Sequence, residues 1–238
     1  MKKFFGSGPT GIDSGDLHGR LIVIEGADGA GRSTHIRRLT AWLEERGHAV
    51  VTAGLMRSEL VCEELNSARR GNSIGLVTRS LFYATDLADQ MERVIVPALR
   101  GGMVVLCDRY IYTLIARDLC RNAELAWLEN LYGFAIVPDQ VVYLKVSPKV
   151  LARRVLTRDG ELDYWESGMD LAFSHDRYES FVRYQEKLAT NFDIVRKNHS
   201  VTEVNGQRSP ADVQADLRAI IEPVLKSPAL PIRATGTI

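Results

Sequence analysis

The stretch "GADGAGRST", residues 26–34, follows directly after the apolar run "LIVIE" at residues 21–25. Its spacing is that of a phosphate-binding loop, Gly-x-x-x-x-Gly-Lys-[Ser/Thr], except that Arg32 stands where the pattern has lysine. In such a loop the glycines turn the backbone tightly and aim its N–H groups at an anion. The positive amino-terminal end of the following helix strengthens this attraction. The stretch therefore predicts a nucleotide-binding α/β domain.

Each position of the loop has an expected role. Arg32 keeps the positive charge, and its planar fork of donors suits phosphate oxygens, although it is bulkier than lysine. We therefore expect nucleotide binding to tolerate this residue better than the full catalytic rate does. Ser33 occupies the Mg²⁺-binding position, with Thr34 beside it. The residues expected to hold the nucleotide are Gly26, Ala27, Asp28, Gly29, Ala30, Gly31, Arg32, Ser33 and Thr34.

The rest of the chain alternates strand-like and helix-like segments. Strands are predicted at 21–25, 48–53, 103–108, 140–146 and near 200–204 because these runs are apolar and short. Helices are predicted at 33–47, 58–70, 78–99, 147–156, 176–195 and 209–222. This alternation predicts an α/β fold of the P-loop NTPase type, with a central five-stranded parallel sheet and helices on both faces. We expect one domain over residues 19–225 with a short lid at about 157–170, a flexible arm at 1–18 and a flexible tail at 226–238.

Composition excludes several classes of protein. The 238 residues include 30 basic and 30 acidic side chains, so no overall charge favours a nucleic acid polymer or an anionic membrane. No run approaches the about 20 apolar residues that span a bilayer. Cys62 and Cys107 lie in apolar or helical contexts that favour reduced thiols. We expect a cytoplasmic protein that binds small molecules.

Three segments together resemble the thymidylate kinase family of P-loop nucleoside monophosphate kinases. They are "IEGADGAGRST", "CDRYIYT" at the end of the third strand and "PDQVVYLKV" at the fourth. The segments "LFYATD" and "IVPAL" are similar to further landmarks of the family, and the resemblance runs in order over about residues 20–221. It implies transfer of the γ-phosphoryl group of ATP to the 5′-phosphate of dTMP, with Mg²⁺.

The resemblance also implies roles for particular residues. Asp28 would lie near the acceptor sugar, and Asp108 would serve the metal and its water shell. Arg109 would bind the acceptor phosphate, Tyr110 would lie against the deoxyribose, and Tyr83 would stack on the base. The location of Asp108 and Arg109 agrees with these roles. Residues just past the carboxyl end of a parallel strand face the crevice where α/β proteins bind ligands.

Arginines near the predicted lid are candidates to contact the transferring group. They are Arg153, Arg154 and Arg158, in "LARRVLTRDGELDYWE". Arg153 and Arg154 are adjacent on a helix and cannot share one face, so we expect at most one of them to point inward. Closure of such a lid would neutralise charge on the phosphates and exclude water.

Three departures from the family pattern affect this interpretation. Arg32 replaces the loop lysine, and Leu87 aligns with a substrate-binding arginine. The segment "TAGLMRSEL" replaces an Arg-Glu-Pro sequence after the second strand, although Arg57 lies close enough to substitute. Arg79, on the preceding helix turn, is a second candidate cation near the acceptor. Arg117 and Asp118 either read a base edge or pair with each other.

Two alternatives remain open from the sequence alone. The departures on the acceptor side are compatible with a P-loop kinase for another nucleotide or phosphorylated metabolite. Loss of the lysine is compatible with a nucleotide-binding regulatory module that has little catalysis. The persistence of Ser33, Asp108 and Arg109 favours an enzyme, because decay should remove them together. The resemblance suggests a homodimer.

Overall fold

A computed structural model describes residues 1–71, 74–197 and 199–226. Within these residues, five parallel strands form one sheet in the order β2-β3-β1-β4-β5. They are β1 (Arg20–Gly26), β2 (Val50–Gly54), β3 (Val104–Asp108), β4 (Gln140–Lys145) and β5 (Val201–Asn205). The predicted parallel sheet of an α/β P-loop fold is confirmed.

Helices surround this sheet. They are α1 (Arg32–Glu44), α2 (Cys62–Gly71), α3 (Leu76–Gln90), α4 (Val96–Arg100), α5 (Ile111–Leu119), α6 (Leu125–Leu131), α7 (Pro148–Asp159), α8 (Arg177–Arg196) and α9 (Pro210–Lys226). A π-helical segment, Met91–Ile95, joins α3 to α4. It lies beside Pro97, which has no N–H to continue the regular hydrogen-bond pattern.

Successive residues of β1 point to opposite faces of the sheet and are buried on both. Leu21 and Val23 pack in one hydrophobic cluster with α3 and α5, whereas Ile22 and Ile24 pack in another with α1, α7 and α9. This double coverage explains the continuous apolar run in the sequence. Since all strands are parallel, the loops after β1 and β3 meet at the same edge, where the site lies.

The amino-terminal segment is held against the domain. Phe4 forms an isolated antiparallel bridge with Ile136, and the backbone N–H of Phe5 donates to the carbonyl oxygen of Ala135 at 3.0 Å. Leu17 is buried in the core. These contacts contrast with the loose arm expected from the sequence. The expected tail begins at the last residue of α9, and residues 227–238 lie outside the described residues.

No helix in the described parts of the chain is long and apolar enough to cross a membrane. Among the same residues Cys62, Cys107 and Cys120 are all free thiols. Cys107 and Cys120 are buried and Cys62 is partly exposed. Burial raises the pKa of the Cys107 thiol well above its usual value.

Candidate active site

The loop between β1 and α1 has the conformation that its glycines allow. Gly31 caps the first turn of α1 with a φ of 95°, and Gly29 has a φ of 83°. A Cβ on Gly29 would also lie 3.1 Å from Cγ2 of Val155 in α7, so this position requires glycine for two reasons. Ser33 and Thr34 lie in the first turn of α1, and Ser33 is exposed to solvent.

The guanidinium of Arg32 ties this loop to the end of β3. Its Nε donates to Oδ1 of Asp108 at 2.7 Å. Its Nη1 donates to the carbonyl oxygens of Gly26, at 2.6 Å, and of Ala27. Its Nη2 lies 3.6 Å from the carboxylate of Asp28. The planar guanidinium thus contacts several acceptors around the loop at once. The ammonium of a lysine is a compact point charge and would not span them in this way.

The carboxylate of Asp28 lies within 4 Å of three guanidinium groups. Its Oδ1 is 2.5 Å from Nη2 of Arg109, and its Oδ2 is 3.1 Å from Nη2 of Arg117. Arg32 approaches from the loop itself. Burial alone would raise the pKa of Asp28, but the three cations lower it well below its usual value. The carboxylate is therefore ionised at neutral pH and fixes the positions of the arginines.

Arg109 lies directly past the end of β3 with an unusual backbone conformation. Its φ of 67° is in the left-handed region, and its N–H donates to the carbonyl oxygen of Ile24 at 3.1 Å. Burial and the charge of Arg32 lower its pKa to about 10, against the opposing effect of Asp28. Arg109 is thus cationic at neutral pH, in a site that excludes most water.

Glu25 is a site residue that the sequence interpretation missed. This carboxylate, at 0% exposure, accepts hydrogen bonds from the N–H of Tyr110 at 2.9 Å and from the hydroxyl of Thr113. Burial raises its pKa to about 6. It joins β1 to the segment that carries Arg109. An acidic residue at the end of a fully buried apolar run is the sequence signal that could have identified it.

A cleft lies beside Arg117, one of the arginines that bind Asp28. Residues from α3, α5 and the segment after α7 line it, among them Tyr83, Leu114, Arg79, Arg117, Trp165 and Glu166. Burial and the negative charge of Asp28 raise the pKa of Glu166 to about 7. The cleft therefore has an apolar wall and a charged end, an arrangement suited to a flat, polar-edged ligand.

The segment after β2 is fixed by one buried carboxylate. Asp86 accepts the backbone N–H groups of Met56, Arg57 and Ser58 at 2.7, 3.0 and 2.8 Å. The side chain of Arg57 then reaches within 3.9 Å of the Asp108 carboxylate, so Arg57 does lie at the site. The sequence did not identify Asp86, because its role in shaping this segment depends on tertiary contacts.

Two expected site residues lie elsewhere. Tyr110 is fully buried, and its hydroxyl donates to the carbonyl oxygen of Ile136 at 3.0 Å, so it is a core residue and does not line a sugar site. Arg158 is 59% exposed and pairs with the neighbouring Asp159, so it does not lie among the site residues. In this structure neither side chain lies with the other site residues, and the roles expected of them stay predictions. Leu87, 2% exposed, packs in the core.

The adjacent arginines of α7 point in different directions, as expected. Arg154 donates to the carbonyl oxygen of Gly29 at 3.4 Å and to that of Gly206 at 3.0 Å, whereas Arg153 is exposed. Arg117 and Asp118 do not pair with each other. Arg117 binds Asp28, and Asp118 accepts hydrogen bonds from Arg79 and Ser80.

The fold and this arrangement of residues define a P-loop phosphotransferase. A glycine-turned loop opens a helix, a carboxylate and an arginine follow the neighbouring strand, and cations converge between the loop and a cleft.

Comparison with known proteins identifies the family. The family model described as "Thymidylate kinase" matches residues 24–207. A Saccharolobus solfataricus protein named "Probable thymidylate kinase 2" is 35% identical over 206 residues, which are 86% of this chain and 96% of that protein. "Thymidylate kinase" of Symbiobacterium thermophilum is 30% identical over 86% of this chain and 94% of its own length. "Probable thymidylate kinase" of Pyrococcus horikoshii is 29% identical over 87% of this chain and 97% of its own length. The chain belongs to the thymidylate kinase family.

Proposed function

We propose that this protein transfers the γ-phosphoryl group of ATP to the 5′-phosphate of dTMP and releases dTDP. One observation carries the proposal. The arginines around Asp28 stand between a phosphate-binding loop and a cleft with an aromatic wall. Two phosphate groups brought together there would meet preorganised positive charge. Phosphoryl transfer depends mainly on positioning and on such charge neutralisation.

Each part of the site has a task in this reaction. The loop N–H groups and Arg32 bind the phosphates of ATP. Arg109 and Arg117 bind the acceptor phosphate, and Asp28 holds both guanidinium groups in place. Arg154, which contacts the loop at Gly29, supports the donor side. Tyr83 stacks on the base, while Arg57 and Arg79 add positive charge on the acceptor side.

The residues present fit a magnesium ion held with the phosphates. Asp108 offers a carboxylate at the end of β3, with Oδ1 bound by Arg32 and Oδ2 3.9 Å from Arg57. Ser33 offers an exposed hydroxyl in the first turn of α1. Oxygen ligands of this kind, few in number, suit Mg²⁺ that keeps phosphate oxygens and waters as its other ligands. When bound, the ion would neutralise charge on the phosphates.

The proposal extends to the location and assembly of the protein. We place it in the cytoplasm on the basis of its reduced thiols. A homodimer is supported by the exposed apolar side chains of Val77 and Leu81 on one face of α3, which are 58% and 48% exposed. Light scattering on the purified protein tests this part, with twice the mass of one chain as the expected result.

A direct assay tests the function. The purified protein is incubated with Mg-ATP and a panel of nucleoside monophosphates, and the products are separated by chromatography. We expect ADP and dTDP in equal amounts, with dTMP among the best acceptors. Phosphorylation of other acceptors without any of dTMP would overturn the proposal. If the protein binds ATP but is inactive until Arg32→Lys restores turnover, it is a binding module instead.

A further inference from the structure

One face of α3 holds the segment that follows β2. Oδ1 of Asp86 accepts hydrogen bonds from the backbone N–H groups of Arg57 and Ser58, at 3.0 and 2.8 Å. Its Oδ2 accepts one from the N–H of Met56 at 2.7 Å and one from Nε2 of Gln90 at 3.1 Å. Asp86 is 0% exposed. Because these partners are all donors, the position requires a side chain with two acceptor oxygens.

Gln90, one turn further along α3, holds the last residue of β2. Its Oε1 accepts the N–H of Gly54 at 3.1 Å, and its Nε2 donates to the carbonyl oxygen of Gly54 at 2.6 Å. Gly54 pairs with Asp108 in the sheet, and a Cβ on Gly54 would lie 2.6 Å from the carbonyl oxygen of Asp108. The segment that α3 holds therefore starts directly beside the end of β3.

This segment carries Arg57 to the site. Met56 has a φ of 59°, in the left-handed region that is unfavourable for residues other than glycine, so hydrogen bonds must hold the turn. Nη2 of Arg57 then lies 3.9 Å from Oδ2 of Asp108, whose Oδ1 is bound by Arg32. The side chain of Arg57 is 40% exposed. Packing constrains it less than the buried arginines, so its position depends on the backbone that carries it.

We propose that Asp86 is a positioning residue for phosphoryl transfer and that it acts through Arg57. It fixes the backbone at Arg57 so that the guanidinium stands beside Asp108, where the acceptor phosphate meets the donor. An arginine held in advance loses less conformational freedom when a phosphate binds than one on a mobile segment. The inference rests on the proposed function, because the acceptor phosphate belongs to that function.

A double-mutant cycle of Asp86→Asn and Arg57→Met tests this role. Asparagine has nearly the same shape but replaces one acceptor oxygen by an amino group, which would face N–H donors. Arg57→Met should lower kcat/KM for dTMP by about 10-fold, the lower end for a lost hydrogen bond to a charged group. Asp86→Asn should lower it by about 3- to 10-fold, mainly through KM for dTMP, with KM for ATP unchanged. In the Arg57→Met background, Asp86→Asn should have no further effect on kcat/KM.

Asp89→Asn is the matched control on the same helix. The carboxylate of Asp89 contacts the same segment through a side chain, because it accepts the hydroxyl of Ser58 at 2.6 Å and pairs with Arg93 at 2.7 Å. This variant should keep kcat/KM for dTMP within about twofold of the wild type. Urea unfolding reports the stability of every variant.

A second perturbation covers the case in which Asp86→Asn does not fold. Gln90→Met removes the hydrogen bonds to Gly54 and to Asp86 and keeps the Asp86 carboxylate. It then takes the place of Asp86→Asn in the cycle with Arg57→Met, with the same expected result.

The outcomes separate this inference from the proposed function. Additive losses in the cycle, or equal rises of KM for ATP and dTMP in folded Asp86→Asn, would show that Asp86 only supports the fold and would overturn the inference. Wild-type kinetics in Arg57→Met or in Asp86→Asn would also overturn it. In each of these cases phosphorylation of dTMP by the wild type leaves the proposed function intact. A wild-type protein that phosphorylates no dTMP would overturn the proposed function, and the inference with it.

Discussion

Arg32 and Asp108 are joined by a hydrogen bond of 2.7 Å that links the first turn of α1 to the end of β3. The arginine that replaces the usual loop lysine is therefore part of the site and not a remnant beside it. Its other contacts, to the carbonyl oxygens of Gly26 and Ala27, keep the cation within the loop where phosphates are expected to bind.

The first prediction concerns this cation. Arg32→Met should lower kcat by about 100-fold or more. The substitution removes a preorganised positive charge that stabilises the negative charge developing on the phosphates in the transition state. Arg32→Lys keeps the charge but loses the fork, so we expect kcat within about 10-fold of the wild type. Single-turnover and steady-state assays with saturating ATP and dTMP measure both.

Arg37, exposed on the same helix, provides the matched control. Arg37→Met should retain the wild-type rate. A fully active Arg32→Met would contradict the role that we assign to the loop arginine.

The second prediction concerns the carboxylate among the arginines. Asp28→Asn leaves Arg32, Arg109 and Arg117 without their shared counter-charge. We expect kcat/KM for dTMP to fall by about 100-fold and the free energy of unfolding at pH 7 to fall by about 3 kcal/mol, the range for breaking a buried ion pair. Urea unfolding and steady-state kinetics measure these changes.

The pH dependence of this effect has a definite sign. The native pKa of Asp28 is below its unfolded value of 3.8, so its stabilisation is present above that value and is lost as the pH falls toward the native pKa. The difference between wild type and Asp28→Asn should thus shrink in acid. Asp159→Asn, at an exposed ion pair, should differ little from wild type at any pH. A pH-independent difference for Asp28→Asn would contradict this argument.

The loop and the strands could be predicted because their physical requirements are local. A strand buried on both faces needs a continuous apolar run, and a phosphate loop needs glycines at fixed spacing. Asp108 and Arg109 follow from the same reasoning, since parallel strands end at one edge of the sheet. Helix α5, seven of whose nine residues are buried, was not among the helices predicted from the sequence.

The acceptor side could not be predicted in detail because it depends on distant contacts. Tyr110 follows Arg109 in sequence, yet the left-handed conformation at Arg109 precedes a side chain that points into the core. Arg117 meets Asp28 across 89 positions of the chain, and Arg79 meets Asp118 across 39. Charge and residue type identify such groups as candidates, but only packing decides which partner each one has.

The third prediction concerns Glu25, which the sequence did not identify. Its native pKa of about 6 exceeds its ordinary value of 4.5, so the native protein binds more protons between these values. This contribution to stability is greatest below pH 4.5 and is lost as the pH rises toward 6. Relative to Glu25→Gln, wild type should lose about 1 kcal/mol of unfolding free energy between pH 5 and about pH 7.5.

Urea unfolding of both proteins at the two pH values gives this difference directly, because the titration of the other groups is common to both. If the stability of wild type relative to Glu25→Gln does not change between the two pH values, Glu25 titrates normally; if it increases with pH, the native pKa is lowered, and either result would contradict the prediction. The hydroxyl of Thr113 donates a hydrogen bond to Glu25, so Thr113→Val is a second useful variant. It should raise the native pKa of Glu25 further, because the ionised carboxylate loses this donor.

The fourth prediction concerns the aromatic wall of the cleft. The Tyr83 hydroxyl contacts only the sulfur of Met56, at 3.8 Å, among the hydrogen-bonding contacts that the described residues show. Tyr83→Phe should therefore change KM for dTMP by about twofold or less, whereas Tyr83→Leu should raise it by about 10-fold because base stacking is lost. Steady-state kinetics measure both values. A large effect of Tyr83→Phe would instead assign the hydroxyl a direct role in binding.

The fifth prediction uses two adjacent arginines as a matched pair. Arg154 reaches the carbonyl oxygens of Gly29 and Gly206, whereas Arg153 is exposed on the same helix. Arg154→Met should raise KM for ATP by about 10-fold, because it loses charge and hydrogen bonds beside the phosphate loop. Arg153→Met removes the same charge one position away and should leave KM unchanged. Equal effects of both substitutions would indicate a general electrostatic contribution of α7, and the specific contact of Arg154 with the loop would then have no part in ATP binding.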